Sequence, residues 1–369
     1  MKRRIQRIFE HLSPTPDAVI LANAVDPHLD GSFFYVFDVP SGLFEGSYAV
    51  ALPDGHLHVL SSALEEESAR QAAKSDPDTD IHLMVRGEGE KLVSKILGRP
   101  KRIALNYREL THEGFVQIHK TFPDAEFMDA SSAIRRTRGI KEPSEVERIE
   151  KAGQIASRVA EKIPTMLRTG MTELELAAEM EYEMNRLGAS GRSFATIVGF
   201  GPNSAEPHYA PSQVKLSPGV SMVCDFGALY RRYASDLTRS FHFGPTDPEL
   251  KKVHETVQAA QQAALDVLKP GLKGKEVHAA AQKVVDASPW KGRFTHGLGH
   301  ALGLAVHDAG VPLAPGVDDV LEPGMVVTVE PGIYLPGHGG VRIEDDVVIT
   351  SNGYRFLTTA PRGYLEVSA

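Results

Sequence analysis

The segment VCDFGALYRRYASDLTRSF, residues 223–241, decides how the rest of the chain is read. Asp225 follows the apolar run Ser221-Met222-Val223-Cys224, and Asp236 opens the alternating run Asp236-Leu237-Thr238-Arg239-Ser240-Phe241. Leu229-Tyr230-Arg231-Arg232-Tyr233 reads as a hairpin connection, so the two carboxylates are expected to face each other on paired strands. A lone Asp in a hairpin is most often a turn or rim residue. An acid beside an apolar strand is different, because burying it is costly unless it is paired.

Three more residues of the same kind lie downstream. His300 stands in a Gly-rich stretch, and Glu330 ends Val326-Val327-Thr328-Val329 at Pro331-Gly332. Glu344 comes two residues after Arg342, so period-2 alternation predicts that both lie on one face of a strand from Val341 to Ile349. Four carboxylates and one imidazole suit a pair of divalent metals. Oxygen ligands with a single nitrogen favour Mn(II), Co(II) or Fe(II) over a structural zinc, which more often recruits thiolates, and the chain has one cysteine. Buried anions in this number repel one another unless cations stand between them.

Five segments, SFATIVGFGPNSAEPHY (193–209), VCDFGALYRRYASDLTRSF (223–241), THGLGHALGLAVHD (295–308), VTVEPGIY (327–334) and GVRIEDDVVIT (340–350), together carry a family resemblance. In that order they resemble the signature blocks of the pita-bread metallopeptidases, in the branch of Xaa-Pro dipeptidases (prolidases) and aminopeptidase P. The match is strong over residues 140–369 and weak before them. It implies that Asp225 chelates one metal, that His300 and Glu330 bind the other, and that Asp236 and Glu344 bridge both. The ions, Mn(II) or Co(II), share a hydroxide nucleophile. Glu330 then shuttles a proton to the leaving nitrogen, while His208 and His307 donate to substrate and oxyanion. By the same resemblance His296 lines a proline pocket, and Arg342 contacts substrate or orients Glu344. The expected partner is a small peptide with proline at its second position, and the expected assembly is a homodimer.

Histidine spacing sharpens this reading. His296 and His300 stand four apart, but position 297 is Gly and the zinc-protease H-E-x-x-H pattern fails. Gly297, Gly299 and Gly303 argue against a regular helix and for close backbone approach. His242, His254 and His278 read as packing or surface residues. Dipeptidases of the family commonly use a cation to receive the free carboxylate of the dipeptide. Residues 308–341 contain no Lys or Arg, which keeps aminopeptidase P activity on longer peptides as a rival. The short interval between Glu330 and Glu344 resembles the compact prolidases. Creatinase-like and nonenzymatic relatives lose ligands, and all five are present here.

At 369 residues the chain exceeds the size at which a single core usually stops growing, so two domains are expected. No run approaches the roughly 18 to 20 apolar residues of a membrane helix. Met1-Lys2-Arg3-Arg4 is basic, but Ile5, Ile8, Phe9 and Leu12 recur at helical spacing instead of forming a secretory core. A net charge of −8 argues against a general nucleic-acid binder, and a lone Cys224 offers no disulfide framework. The expected compartment is the cytoplasm, with neither nucleic acid nor membrane as partner.

The expected fold class is α+β. Residues 1–134 are expected to form a creatinase-like mixed α/β domain, with strands at 18–22, 33–37, 48–52, 57–60, 81–85, 102–106 and 126–128. Residues 135–143 are expected to be a linker, and 144–369 a pita-bread domain opened by a helix with a Ser144-x-x-Glu147 capping box. Within it, Leu167-Arg168-Thr169-Gly170-Met171 with Glu175 and Leu176 echoes Leu268-Lys269-Pro270-Gly271-Leu272 with Glu276 and Val277. The echo predicts two helix-plus-sheet halves related by a pseudo-twofold axis, with the metal site at their junction.

Overall fold

The computed structural model describes residues 1–85, 87–245 and 247–369. The chain divides into two compact units, Met1–Arg138 and Gly139–Ala369.

The first unit is built on a six-stranded sheet of β1 (Ala18–Ala22), β2 (Tyr48–Ala51), β3 (Leu57–Ser61), β4 (Thr79–Leu83), β5 (Arg102–Leu105) and β6 (Glu126–Asp129), in the order β4-β3-β2-β1-β5-β6. Its helices are α1 (Lys2–Glu10), α2 (Gly31–Phe37), α3 (Glu66–Ala73), α4 (Gly89–Leu97), α5 (His112–Thr121) and α6 (Ser131–Gly139). Ile20, Val50, Leu60, Ile103 and Leu105 share a core with Val93 of α4 and Ile118 of α5. One expected strand is a helix: Phe33–Phe37 lies in α2. The Asp30 side chain caps its start by accepting from the Ser32 N–H at 2.7 Å, and every residue of the apolar run is buried. A short run buried on all sides carries no period, so the cap decides.

The expected linker is mostly helical. Arg135, Arg136 and Arg138 belong to α6, and α7 (Pro143–Met166) begins after a short connection. Its capping box uses Glu142 and Glu145 in place of Ser144 and Glu147. Pro143 explains the shift: its fixed φ and missing N–H suit the first helical position, which puts Ser144 already inside the helix.

The second unit consists of two halves built alike. In the first, α7 and α8 (Glu173–Arg186) pack on a sheet through Ile155, Val159, Leu176, Met180, Val198, Met222 and Phe241. That half contains β7 (Gly191–Arg192), β8 (Ile197–Phe200), β9 (Val220–Phe226), β10 (Ala228–Tyr230), β11 (Tyr233–Ala234) and β12 (Leu237–Phe243). In the second half, α9 (Pro248–Val267) and α10 (Gly274–Asp286) pack through Val257, Ala264, Val277 and Ala281 on Val327, Val329, Ile333, Val341 and Val347. Those residues come from β13 (Val326–Val329), β14 (Gly332–Leu335), β15 (Gly339–Arg342) and β16 (Asp345–Ile349).

The echoed segments adopt the same conformation. Gly170 and Gly271 have φ of +87° and +89°, a region that favours glycine. Gly170 N–H donates to Leu216 O and Gly271 N–H to Leu321 O, at 2.8 and 2.9 Å. Each copy then opens a helix whose third residue caps the turn before it: Glu175 accepts from the Thr172 N–H and Glu276 from the Lys273 N–H, both at 2.7 Å. The sequence echo is therefore a structural repeat.

Candidate active site

In the first half, β9 and β12 pair antiparallel with Thr238 opposite Asp225 and Leu237 opposite Phe226. Asp236 precedes β12, so its carboxylate lies diagonal to Asp225 and not directly across from it, as the hairpin reading had it. The connection is itself a small ladder, with Leu229 opposite Ala234 and a turn at Arg231 and Arg232. Both turn residues have positive φ, 46° and 71°, which matches the twist of a tight hairpin. The Asp236 N–H donates to Asp346 Oδ2 at 2.9 Å, which fixes the backbone beneath the carboxylate.

In the second half, His300 is tied to β13 from both sides. Its N–H donates to Thr328 Oγ1 at 3.0 Å, and its carbonyl accepts from the Thr328 N–H at 2.9 Å. A Cβ on Gly299 would stand 2.0 Å from the Thr328 carbonyl oxygen, so glycine is the only residue that permits this approach. Glu330 follows β13, its N–H donating to Leu298 O at 2.8 Å. The single strand expected from Val341 to Ile349 is interrupted: β15 ends at Arg342 and β16 begins at Asp345. Between them the Glu344 N–H turns to donate to Thr238 O at 3.1 Å, and the chain passes from the β14–β15 ladder to the β13–β16 ladder.

Asp225, Asp236, His300, Glu330 and Glu344 line one cavity of about 660 Å³, together with His208, His296, His307 and Arg342. His300 Nε2 lies 3.4 Å from Asp236 Oδ2 and 3.5 Å from Glu330 Oε1. Asp225 Oδ1, Asp236 Oδ1 and Glu344 Oε1 are buried and have no hydrogen-bond partner among the described residues. Burial, then the charges of Glu344 and Asp225, pushes the Asp236 carboxyl well above its usual range. Burial first, then Glu330 and Asp225, does the same to Glu344. Burial raises Glu330 to about 8 against the pull of Arg342. For His300 burial acts in the opposite sense, lowering it to about 4 with help from His307. Carboxyls crowded this closely, with buried acceptor oxygens left unpaired and a neutral imidazole beside them, fit divalent cations.

The Arg342 side chain is held by several partners. It pairs with Asp225, Nη2 to Oδ2 at 2.5 Å, and reaches Glu344 only through Thr238. The Thr238 hydroxyl accepts from Arg342 Nε at 3.1 Å and donates to Glu344 Oε2 at 2.6 Å. Arg342 Nη1 also donates to the Tyr334 hydroxyl at 2.8 Å, and that hydroxyl lies 2.9 Å from His296 Nε2. Burial and Arg342 hold His296 low, at about 4. Thr238, Thr328 and Tyr334 are functional neighbours that the sequence reading did not single out. Arg239 is another: buried on the opposite face of β12, it donates to the Glu344 carbonyl, to Asp345 Oδ1 and to Ala360 O. The rings of His300 and His307 stack with centroids 3.9 Å apart. His208 and His307 are exposed at the cavity, whereas His242, His254 and His278 are buried packing residues.

A carboxylate-rich pocket with one central imidazole, set where two similar halves meet, defines a metal-dependent hydrolase. Residues 147–351 match metallopeptidase family M24, and residues 32–140 match the creatinase/prolidase N-terminal domain. The chain is 34% identical over 313 residues to an Xaa-Pro dipeptidase of Lactobacillus delbrueckii subsp. lactis, covering 84% of each protein. Among solved structures it resembles an Xaa-Pro dipeptidase from Bacillus anthracis, with a TM-score of 0.89 and 32% identity over 99% of both chains. An X-Pro aminopeptidase from Thermotoga maritima gives a TM-score of 0.90 at 32% identity, over 99% of this chain and 100% of that one. The chain belongs to metallopeptidase family M24 and has its pita-bread fold.

Proposed function

We propose that this protein is an Xaa-Pro dipeptidase working with two divalent ions, Mn(II) or Co(II). One observation carries the reading: Asp225, Asp236 and Glu344, each with a buried carboxylate oxygen that has no hydrogen-bond partner among the described residues, line one cavity with His300 and Glu330. Asp225 is assigned to one ion, His300 and Glu330 to the other, and Asp236 and Glu344 to both. The bound ions supply Lewis acidity and a water activated near neutral pH.

The chain's own groups do the rest. Glu330 would take a proton from the attacking water at its carboxylate and deliver it to the leaving prolyl nitrogen; Thr328 Oγ1, 3.2 Å from Glu330 Oε1, holds that carboxylate in place. His208 and His307, at the accessible side of the cavity, donate to the substrate and to the carbonyl oxygen as it gains charge. His296, braced by Tyr334, lines the proline pocket, and Phe194, Ile197 and Val306 add apolar surface. An Xaa-Pro bond offers no N–H, so a site that grips the peptide's amino terminus does not lose a strand-type hydrogen bond there. Arg342 spends most of its donors on Asp225, Thr238, Tyr334 and Pro207, which makes it chiefly a positioning residue with a subsidiary substrate contact.

Aminopeptidase P activity is the second reading, favoured by the equal likeness to the Thermotoga aminopeptidase. The deciding assay compares an Xaa-Pro dipeptide, its C-terminal amide and matched longer Xaa-Pro peptides. A dipeptidase cleaves the free dipeptide far faster than the others, because a receptor for the terminal carboxylate is otherwise left unpaired. Similar rates across the series assign aminopeptidase P. The proposal includes a homodimer in the cytoplasm; the lone buried Cys224, with no disulfide, fits a reducing compartment. Light scattering on the purified protein reads the dimer directly.

A further inference from the structure

The first unit carries a second cluster of metal-ligating side chains, which no part of the peptidase reading uses. His56 precedes β3 and His58 lies within it, while Asp80 and His82 lie on the parallel edge strand β4. The register sets His58 opposite Asp80 and Leu60 opposite His82, so these side chains emerge on one face of the sheet. At its other end that face is covered by α4 and α5; here the rings stand only partly buried.

The donor atoms converge. His56 Nε2 and His58 Nδ1 lie 3.0 and 3.5 Å from Asp80 Oδ2, and these three atoms fall within 4.8 Å of one another. His82 Nε2 lies 3.1 Å from His58 Nδ1. Ligands about 2.0–2.1 Å from a tetrahedral zinc are separated by about 3.3–3.4 Å, so the 3.0 and 3.5 Å spacings to Asp80 need shifts of only a few tenths of an ångström to become coordination edges. Two imidazole nitrogens facing each other at 3.1 Å also need a proton or a cation between them, since their lone pairs repel. Asp54 Oδ1 accepts from the His56 N–H at 3.0 Å and fixes the turn that presents the ring.

We propose that His56, His58 and Asp80, with His82 alongside His58, form an accessory zinc site that clamps edge strand β4 to β3. Two imidazoles and one carboxylate suit a borderline divalent ion, unlike the oxygen-rich set Asp225, Asp236, Glu330 and Glu344. The competing account is that polar side chains on an edge strand merely discourage pairing with another sheet, and it requires no metal.

Zinc chloride and the full-length protein separate the two. Equilibrium dialysis with elemental analysis is expected to show one more zinc per chain at saturation in the wild type than in His56→Ala or Asp80→Ala. His56 is 27% exposed at the side chain and precedes its strand, so its replacement tests the site with little risk to the fold. Hydrogen exchange supplies the second readout: zinc is expected to slow exchange of residues 79–83 at least tenfold in the wild type and not in the variants. The difference in zinc count is independent of the catalytic metals, so it stands or falls apart from the peptidase reading. Equal zinc content in wild type and variants, or edge-strand exchange indifferent to zinc, overturns the proposal.

Discussion

The Thr238 hydroxyl donates to Glu344 Oε2 at 2.6 Å, so one oxygen of this carboxylate is pinned by the protein while Oε1 is buried without a hydrogen-bond partner among the described residues. The two residues come from different halves of the repeat, which means that the shape of the proposed metal centre depends on how the halves meet. Thr238→Val keeps the volume and removes the donor. Metal affinity is expected to fall about 10- to 100-fold, the usual cost of losing an outer partner of a ligand. Competition against a chelator measures it, and an unchanged affinity would show that Glu344 needs no such anchor.

Arg342 is the counter-charge of Asp225, and both are buried. Arg342→Leu leaves that carboxylate without its partner and is expected to destabilise the metal-free protein by about 3–5 kcal/mol. Urea unfolding after chelation reads the change. A loss below about 1 kcal/mol would mean that the ion pair does not hold the empty site together.

His300 and His307 stack at 3.9 Å yet carry different assignments. His300→Ala is expected to lower bound metal. His307→Ala is expected to retain it and lose turnover by roughly 100-fold or more, the scale of one oxyanion donor. Elemental analysis beside kcat decides; the reverse pattern would exchange the two roles.

Gly299→Ala probes the seat of His300. The added Cβ would meet the Thr328 carbonyl at 2.0 Å, so the backbone must move, at an expected cost of about 1–3 kcal/mol together with weaker metal binding. Wild-type thermal stability and metal content in this variant would contradict the close-approach account of the Gly-rich stretch.

Much of this was legible in the sequence because it is local. Acids flanking apolar strands, glycines spaced too closely for a helix and an echoed Gly-to-helix turn each report a backbone requirement near their own position. What escaped depends on partners distant in the chain. Phe33–Phe37 is a helix because Asp30 caps it and its surroundings bury it all round, and a pattern of five apolar residues records neither fact. The capping box moved to Glu142 because Pro143 outranks Ser144 as a helix start. The break after Arg342 arises where Glu344 bonds to Thr238, and the inward hydroxyl of Tyr334 depends on Arg342 and His296. No period or motif within one strand carries those pairings.

The central claim is that catalysis requires metal at the Asp225, Asp236, His300, Glu330 and Glu344 cluster. Its most direct test is hydrolysis of an Xaa-Pro dipeptide by protein stripped with a chelator and shown by elemental analysis to be metal-free, before and after addition of Mn(II) or Co(II). The account predicts that turnover disappears on stripping and returns with either ion in wild type, but not in Asp236→Ala. Undiminished turnover by verified metal-free protein would contradict it.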